Sequence, residues 1–173
     1  LGGQCQEILS AQDPETYDFL RSTMSADRKA WAAEQAEAIE RFIALSDKID
    51  APVYRGMAFN DAYDESGGKA MEFVNSLREG GTIEFGHISS WASSRGTAVS
   101  YSSSALDAEF EDGTNYSILM TVRKPKTTVS LGGINPENEC LSPKAAKYKV
   151  SKVKKTYDED DACYYYDVEL EEE

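Results

Sequence analysis

The feature that most constrains this chain is a change of hydrophobic period at Pro52. Upstream, Trp31, Ala38, Ile39, Phe42, Ile43 and Leu45 include apolar residues three, four and seven apart, while Glu34, Glu37, Glu40 and Arg41 fall on other faces. That spacing predicts a helix from near Ser25 to about Ser46. Asp50-Ala51-Pro52 then breaks it, because a residue preceding proline is pushed out of the helical region. An earlier helix is expected to start at Asp13-Pro14-Glu15, with Asp13 as N-cap and proline at the first helical position.

Beyond Pro52 the runs become short and alternating. Strands are expected at VYRGM (from Val53), TIEFGHISSWAS (from Thr82), YSILMTVR (from Tyr116), TTVSL (from Thr127), NECLS (from Asn138), YKVSKV (from Tyr148) and CYYYDVEL (from Cys163). Turn-rich segments separate them at 65–68, 79–81, 111–115 and 131–136. Two short helices are expected around Lys69 to Leu77 and Gly96 to Ser103. A helical block followed by many short strands reads as α+β. The 173 residues suit one domain with one core, a helical lobe over 1–50 and a β-rich core over 51–173.

Charge and cysteine usage exclude several classes. The net charge of −13, densest in YDEDDACYYYDVELEEE, repels phosphate backbones and anionic lipid, so general nucleic-acid or membrane binding is disfavoured. The acidic end reads as a solubilising surface ahead of a docking tail. Lys144, Lys147, Lys149, Lys152, Lys154 and Lys155 are spaced like the wet face of a strand. Three scattered cysteines, Cys5, Cys140 and Cys163, and a single histidine, His87, fit neither a disulfide framework nor a zinc site; no metal and reduced thiols are expected. No apolar run is long enough to span a bilayer, and LGGQCQEILS lacks the basic and apolar regions of a secretory leader.

Taken singly, the notable polar residues are ordinary. Arg55 before a glycine suits a surface or salt-bridged arginine, and Ser89-Ser90 and Ser93-Ser94 suit element ends and caps. Glu137 and Glu139 sit two apart, on the same side of a strand, as on many solvated faces. Their order carries more. Tyr54-Arg55-Gly56 on a strand is followed by a serine-bearing strand that runs into a helix with Ala98 and Tyr101. A Gly-rich loop then leads to Glu137-Asn138-Glu139 and CLSPKAAKYKV.

This order resembles the arginine–serine–glutamate class of ADP-ribosyltransferases, which includes bacterial toxins, phage enzymes and vertebrate ecto-enzymes. The resemblance runs from about Ile39 to the end of the chain. It implies a core of two packed, mostly antiparallel β-sheets behind N-terminal helices, and NAD⁺ as substrate. The family's three-residue serine motif falls on Ser90-Trp91-Ala92, with Ala98 six residues beyond Ala92. Ser90 is therefore the preferred motif serine. A shift of two residues puts Ala92-Ser93-Ser94 there instead, with an alanine at the key position and Ser93 as the reserve.

Cleaving the nicotinamide–ribose bond develops positive charge on the ribose, and a carboxylate fixed beneath it stabilises that charge. The resemblance assigns this task to Glu139, with Ser90 holding its rotamer and Arg55 offering a planar fork of donors to the pyrophosphate or ribose. Gly56 permits a close backbone approach through which main-chain groups hold the nicotinamide amide. Glu137, at the first position of the Glu-x-Glu, implies an arginine acceptor, whose guanidinium must be positioned and deprotonated. The loop from Leu131 to Pro136, with Ile134 as an apolar contact, is expected to form part of the acceptor site. The resemblance offers Phe110 or Tyr101 for the place over the nicotinamide, although for Tyr101 the core side of its short helix is the stronger expectation. His87 reads as structural.

The expected activity is thus transfer of ADP-ribose from NAD⁺ to arginine on a target protein, by a monomer acting in a cytosol as a toxin, delivered effector or phage protein. An NAD⁺ glycohydrolase, transfer to a non-arginine acceptor and an inactive binding module on the same scaffold remain the alternatives.

Overall fold

A computed structural model describes residues 3–64, 66–104, 112–132 and 138–173. Three helices lead the chain: α1 (Gly3–Gln12), α2 (Asp18–Ser22) and α3 (Ala26–Leu45). Helix α3 has the expected bounds, and the reason is visible at its start. Ser25 is extended and its side chain accepts from the Arg28 N–H, an N-cap that satisfies one orphan donor of the first turn. The Asp13-Pro14 signal does not start a helix. It ends α1, and the Asp13 carboxylate instead accepts from Thr16 N at 3.3 Å within the turn leading to α2. Asp and Pro suit a turn as well as a helix start, which is why the signal misplaced this element.

The remaining elements are β1 (Val53–Asn60), α4 (Lys69–Ser76), β2 (Thr82–Glu84), β3 (Ser89–Ala92), α5 (Arg95–Ser102), β4 (Asn115–Val122), β5 (Val129–Ser130), β6 (Glu139–Ser142), β7 (Lys147–Asp158) and β8 (Cys163–Glu172), with a 3₁₀ turn at Asp61–Tyr63. The run from Thr82, read above as one strand, is two. Gly86 has φ +75°, a left-handed conformation that breaks the ladder and sends β2 and β3 to different neighbours.

Hydrogen bonds join eight strands in the order β2-β7-β8-β4-β1-β3-β6-β5, antiparallel except for β4 with β8. The fold is α+β, as the pattern implied. The two packed sheets take the form of one continuous sheet that curls. Trp91 on β3 and Tyr148 on β7 have β8, β4 and β1 between them in strand order, about 19 Å in a flat sheet. Their ring centroids are nevertheless 5.4 Å apart, so the two halves face each other across a shared core. The hinge is β1, which pairs with β3 only at Tyr54↔Ala92 but with β4 over its whole length.

That core gathers Val53, Trp91, Ile118, Met120, Tyr148 and Val168. Every residue of β4 is buried, as a central strand covered on both faces requires. The acidic end of the chain is no tail: β8 lies inside the sheet, where Glu171, Glu169 and Asp167 stand opposite Lys149, Lys152 and Lys154 of β7. No helix of the described residues is long and apolar enough to cross a membrane.

Candidate active site

The junction of β1, β3 and β6 shapes a cavity of about 330 Å³. Arg55, Gly56, Ser90, Tyr101 and Glu139 all line it. Strands β3 and β6 pair with Ala92 opposite Glu139 and Ser90 opposite Leu141. Side chains alternate along a strand, so Ser90 and Glu139 lie on one face as diagonal neighbours. Ser90 Oγ donates to Glu139 Oε1 at 2.7 Å. Glu139 is only 5% exposed although it lines the cavity, so its carboxylate is presented with little freedom. Asn138, just ahead of it, has φ +51°, and its carbonyl accepts from Ser93 N. Ser93 itself is exposed and its side chain takes no part in the cavity wall.

Arg55 reaches the site from β1. Its Nη1 donates to the Ser90 carbonyl at 2.6 Å, and its guanidinium carbon stands 5.1 Å from the centre of the Phe85 ring. Its Nε is buried without a hydrogen-bond partner, and among the described residues no carboxylate pairs with it. Burial pushes this guanidinium below its ordinary value. A desolvated cation in a cavity wall, with no carboxylate partner among the described residues, is suited to an anion such as a phosphate.

Gly56 permits a close approach by α5. A Cβ at Gly56 would stand 1.7 Å from the Ala98 carbonyl oxygen and 2.8 Å from Ser102 N. This glycine lets α5 press onto β1 and brings Thr97, Ala98 and Tyr101 to the cavity wall. Tyr101 is 50% exposed, so it is not a core residue of its helix. Phe110, Ile134, Pro136 and Glu137 lie outside the described residues; of the expected acceptor loop, Leu131 and Gly132 are described.

His87 borders the cavity with its ring edge-on to Tyr17, and its Nδ1 lies 2.7 Å from the Ile88 carbonyl. Since that carbonyl can only accept, Nδ1 carries the proton. Burial lowers the His87 pKa; the Ile88 carbonyl opposes this and nearby Arg55 adds to it.

Sequence reasoning missed one wall. Cys5, Gln6 and Leu9 of α1 line the cavity opposite the strands. Cys5, Leu9 and Gln12 recur four and three apart, which is the stripe of a helix facing a core. The missed Phe85 has no comparable signal, because its contact with Arg55 exists only after β2 and β3 have parted.

No protein-family model matches the chain, and no curated protein sequence matches it. Solved structures do. The ADP-ribosyltransferase Vis in complex with agmatine aligns with a TM-score of 0.67 at 15% identity, over 98% of this chain and 69% of that one. The Vis toxin, an ADP-ribosyltransferase from Vibrio splendidus, aligns at 0.61 and 16% identity, over 98% and 73% of the two chains. Plx2a, an ADP-ribosyltransferase toxin from Paenibacillus larvae, aligns at 0.53 and 16% identity, over 98% and 85%. The chain has the fold of these ADP-ribosyltransferases.

Proposed function

We propose that this chain, with its ADP-ribosyltransferase fold, transfers ADP-ribose from NAD⁺ to an arginine side chain of a target protein. The observation that carries the reading is the buried Glu139 carboxylate, held by Ser90 Oγ at the wall of a cavity that Arg55 also lines. Support for the acceptor comes from two sides. Glu137 precedes Glu139 by two residues, and agmatine, bound by the similar Vis, carries the guanidinium group of arginine.

Glu139 sits where positive charge grows on the ribose as the bond from its anomeric carbon to the nicotinamide nitrogen lengthens. The bonding pair leaves with nicotinamide, which departs neutral. A preorganised carboxylate stabilises that charge without reorganising, an effect worth on the order of 100-fold or more in rate. Ser90 keeps the carboxylate in one rotamer, and Arg55, which lines the same cavity, offers its guanidinium charge to the pyrophosphate. Tyr101, half exposed on α5, offers a ring at the cavity rim for the nicotinamide, a place Phe110 shares in the sequence reading. Glu137 orients the guanidinium and accepts the proton it sheds as its nitrogen bonds to the anomeric carbon.

In this reading the partner is a protein with an accessible arginine, and the site of action is a cytosol reached by a toxin or effector. The test is acceptor choice. NAD⁺ is supplied with peptides that differ only in one arginine, lysine or asparagine, and adducts are sought by mass spectrometry. Product on the arginine peptide alone is expected; product on asparagine, or nicotinamide release with no adduct, overturns the acceptor assignment.

A further inference from the structure

We infer that Gln12 is a positioning residue for NAD⁺, holding α1 as a wall of the cavity; this rests on the NAD⁺-dependent reading above. Helix α1 has little apolar grip. Cys5 is its only buried hydrophobic residue among those described, and Leu9 packs from the edge of a small cluster with Ile43, Ile88, Val129 and Leu141. The tie to the strands is polar. Gln12 Oε1 accepts from Ile88 N at 2.7 Å, directly ahead of β3, and Gln12 Nε2 donates to Glu40 Oε1 at 2.9 Å. The same Glu40 oxygen accepts from Lys144 N at 2.9 Å, and Lys144 Nζ donates to the Gln12 carbonyl at 2.8 Å.

The Gln12 side chain thus joins the end of α1 to α3 and to the start of the strand that bears Ser90, and the Glu40 carboxylate and the Gln12 carbonyl extend the network to Lys144 in the turn after the strand that bears Glu139. Arg28 with Glu7, and Arg21 with the Ser10 carbonyl, hold α1 to the other helices, and neither reaches the sheet. The distance between the α1 wall (Cys5, Gln6, Leu9) and the face of β3 and β6 is therefore set by the Gln12 clasp. A wall that drifts loosens ground-state binding of the substrate while leaving Glu139 and Ser90 paired, so its loss belongs in KM more than in kcat.

The hydrogen-bond inventory provides a rescue. Gln12→Glu still accepts from Ile88 N but sets a second carboxylate against Glu40. Adding Glu40→Gln restores a donor between the two and keeps the acceptor for Lys144 N. Expected for Gln12→Glu is a KM for NAD⁺ raised about fivefold or more, with kcat within about twofold, and the double variant back within about twofold of wild type. An unchanged KM in Gln12→Glu, a lower melting temperature with kcat alone reduced, or a double variant no better than the single overturns the proposal. Hydrogen exchange is followed in the same proteins: the α1 amides and Ile88 N–H should exchange faster in Gln12→Glu and recover in the double variant. If the wild type turns over no NAD⁺, the functional reading has failed, and exchange alone decides the clasp; unchanged exchange in Gln12→Glu then overturns it.

Discussion

Ser90 Oγ lies 2.7 Å from Glu139 Oε1, across the pairing of β3 with β6. A hydrogen bond to a charged partner contributes about 1.5–3 kcal/mol. Ser90→Ala is therefore expected to lower kcat about tenfold or more with little change in KM for NAD⁺, since in the proposed mechanism the loss falls on the carboxylate that acts on the developing charge. Ser93→Ala, at an exposed position, should stay within about twofold of wild type. Steady-state kinetics on the two variants check this, and the reverse ranking would move the motif serine to Ser93.

Arg55 is expected to trade stability for binding. Its Nε is buried without a partner and its charge is partly stripped of water, which costs free energy in the unliganded protein. Arg55→Met should raise the KM for NAD⁺ at least about tenfold while leaving the melting temperature equal to or above that of wild type. Arg55→Lys should not restore binding, because a point charge lacks the fork. Calorimetric melting beside NAD⁺ titration tests both halves; a clear fall in melting temperature for the Met variant would mean the guanidinium is a structural anchor.

Gly56→Ala should destabilise the whole domain. The added carbon would meet the backbone of α5 at 1.7 Å, and backbone cannot swing aside as a side chain can. A loss of at least ~2 kcal/mol is expected in urea unfolding. A loss under about 0.5 kcal/mol would show that α5 can lift from β1 without penalty.

Much of this architecture was legible in the sequence, for physical reasons that differ by element. Helix α3 announced itself because Ser25 caps it and its apolar spacing is sustained, and α4 and α5 came within a residue or so of their ends. Strands β1, β4 and β8 were visible because central strands need dense apolar runs. Helix α1 was hidden. Its buried residues include Ser10, and its tie to the strands is made by an amide, Gln12, so hydrophobic period had little to register. The split at Gly86 was hidden too, since TIEFGHISSWAS alternates on both sides of the glycine and only the change of neighbours reveals two strands. At the site, Arg55, Ser90 and Glu139 could be picked out by their order along the chain. The contact of Gly56 with α5 could not, because Ala98 lies more than forty residues further along the chain.

His87 gives a pH signature. Burial holds its folded-state pKa below the ordinary 6.5, so the unfolded chain binds its proton more readily than the folded one. Above about pH 6.5 both states are neutral and the group costs nothing. As pH falls through 6.5 the unfolded state is favoured, and the penalty grows until the folded-state pKa is passed. Wild type should therefore lose more melting temperature than His87→Gln between about pH 7.5 and about pH 5. Equal losses would show that His87 is accommodated in its charged form beside Arg55.

The most direct measurement incubates wild type and Glu139→Gln with NAD⁺ and agmatine, and follows nicotinamide and ADP-ribosyl-agmatine by mass spectrometry. Both products are expected from wild type, with a loss of each by about 100-fold or more in the variant. ADP-ribosyl-agmatine formed at a near-normal rate by Glu139→Gln would contradict the proposed mechanism, because the carboxylate that Ser90 holds would then not be the group on which the reaction depends.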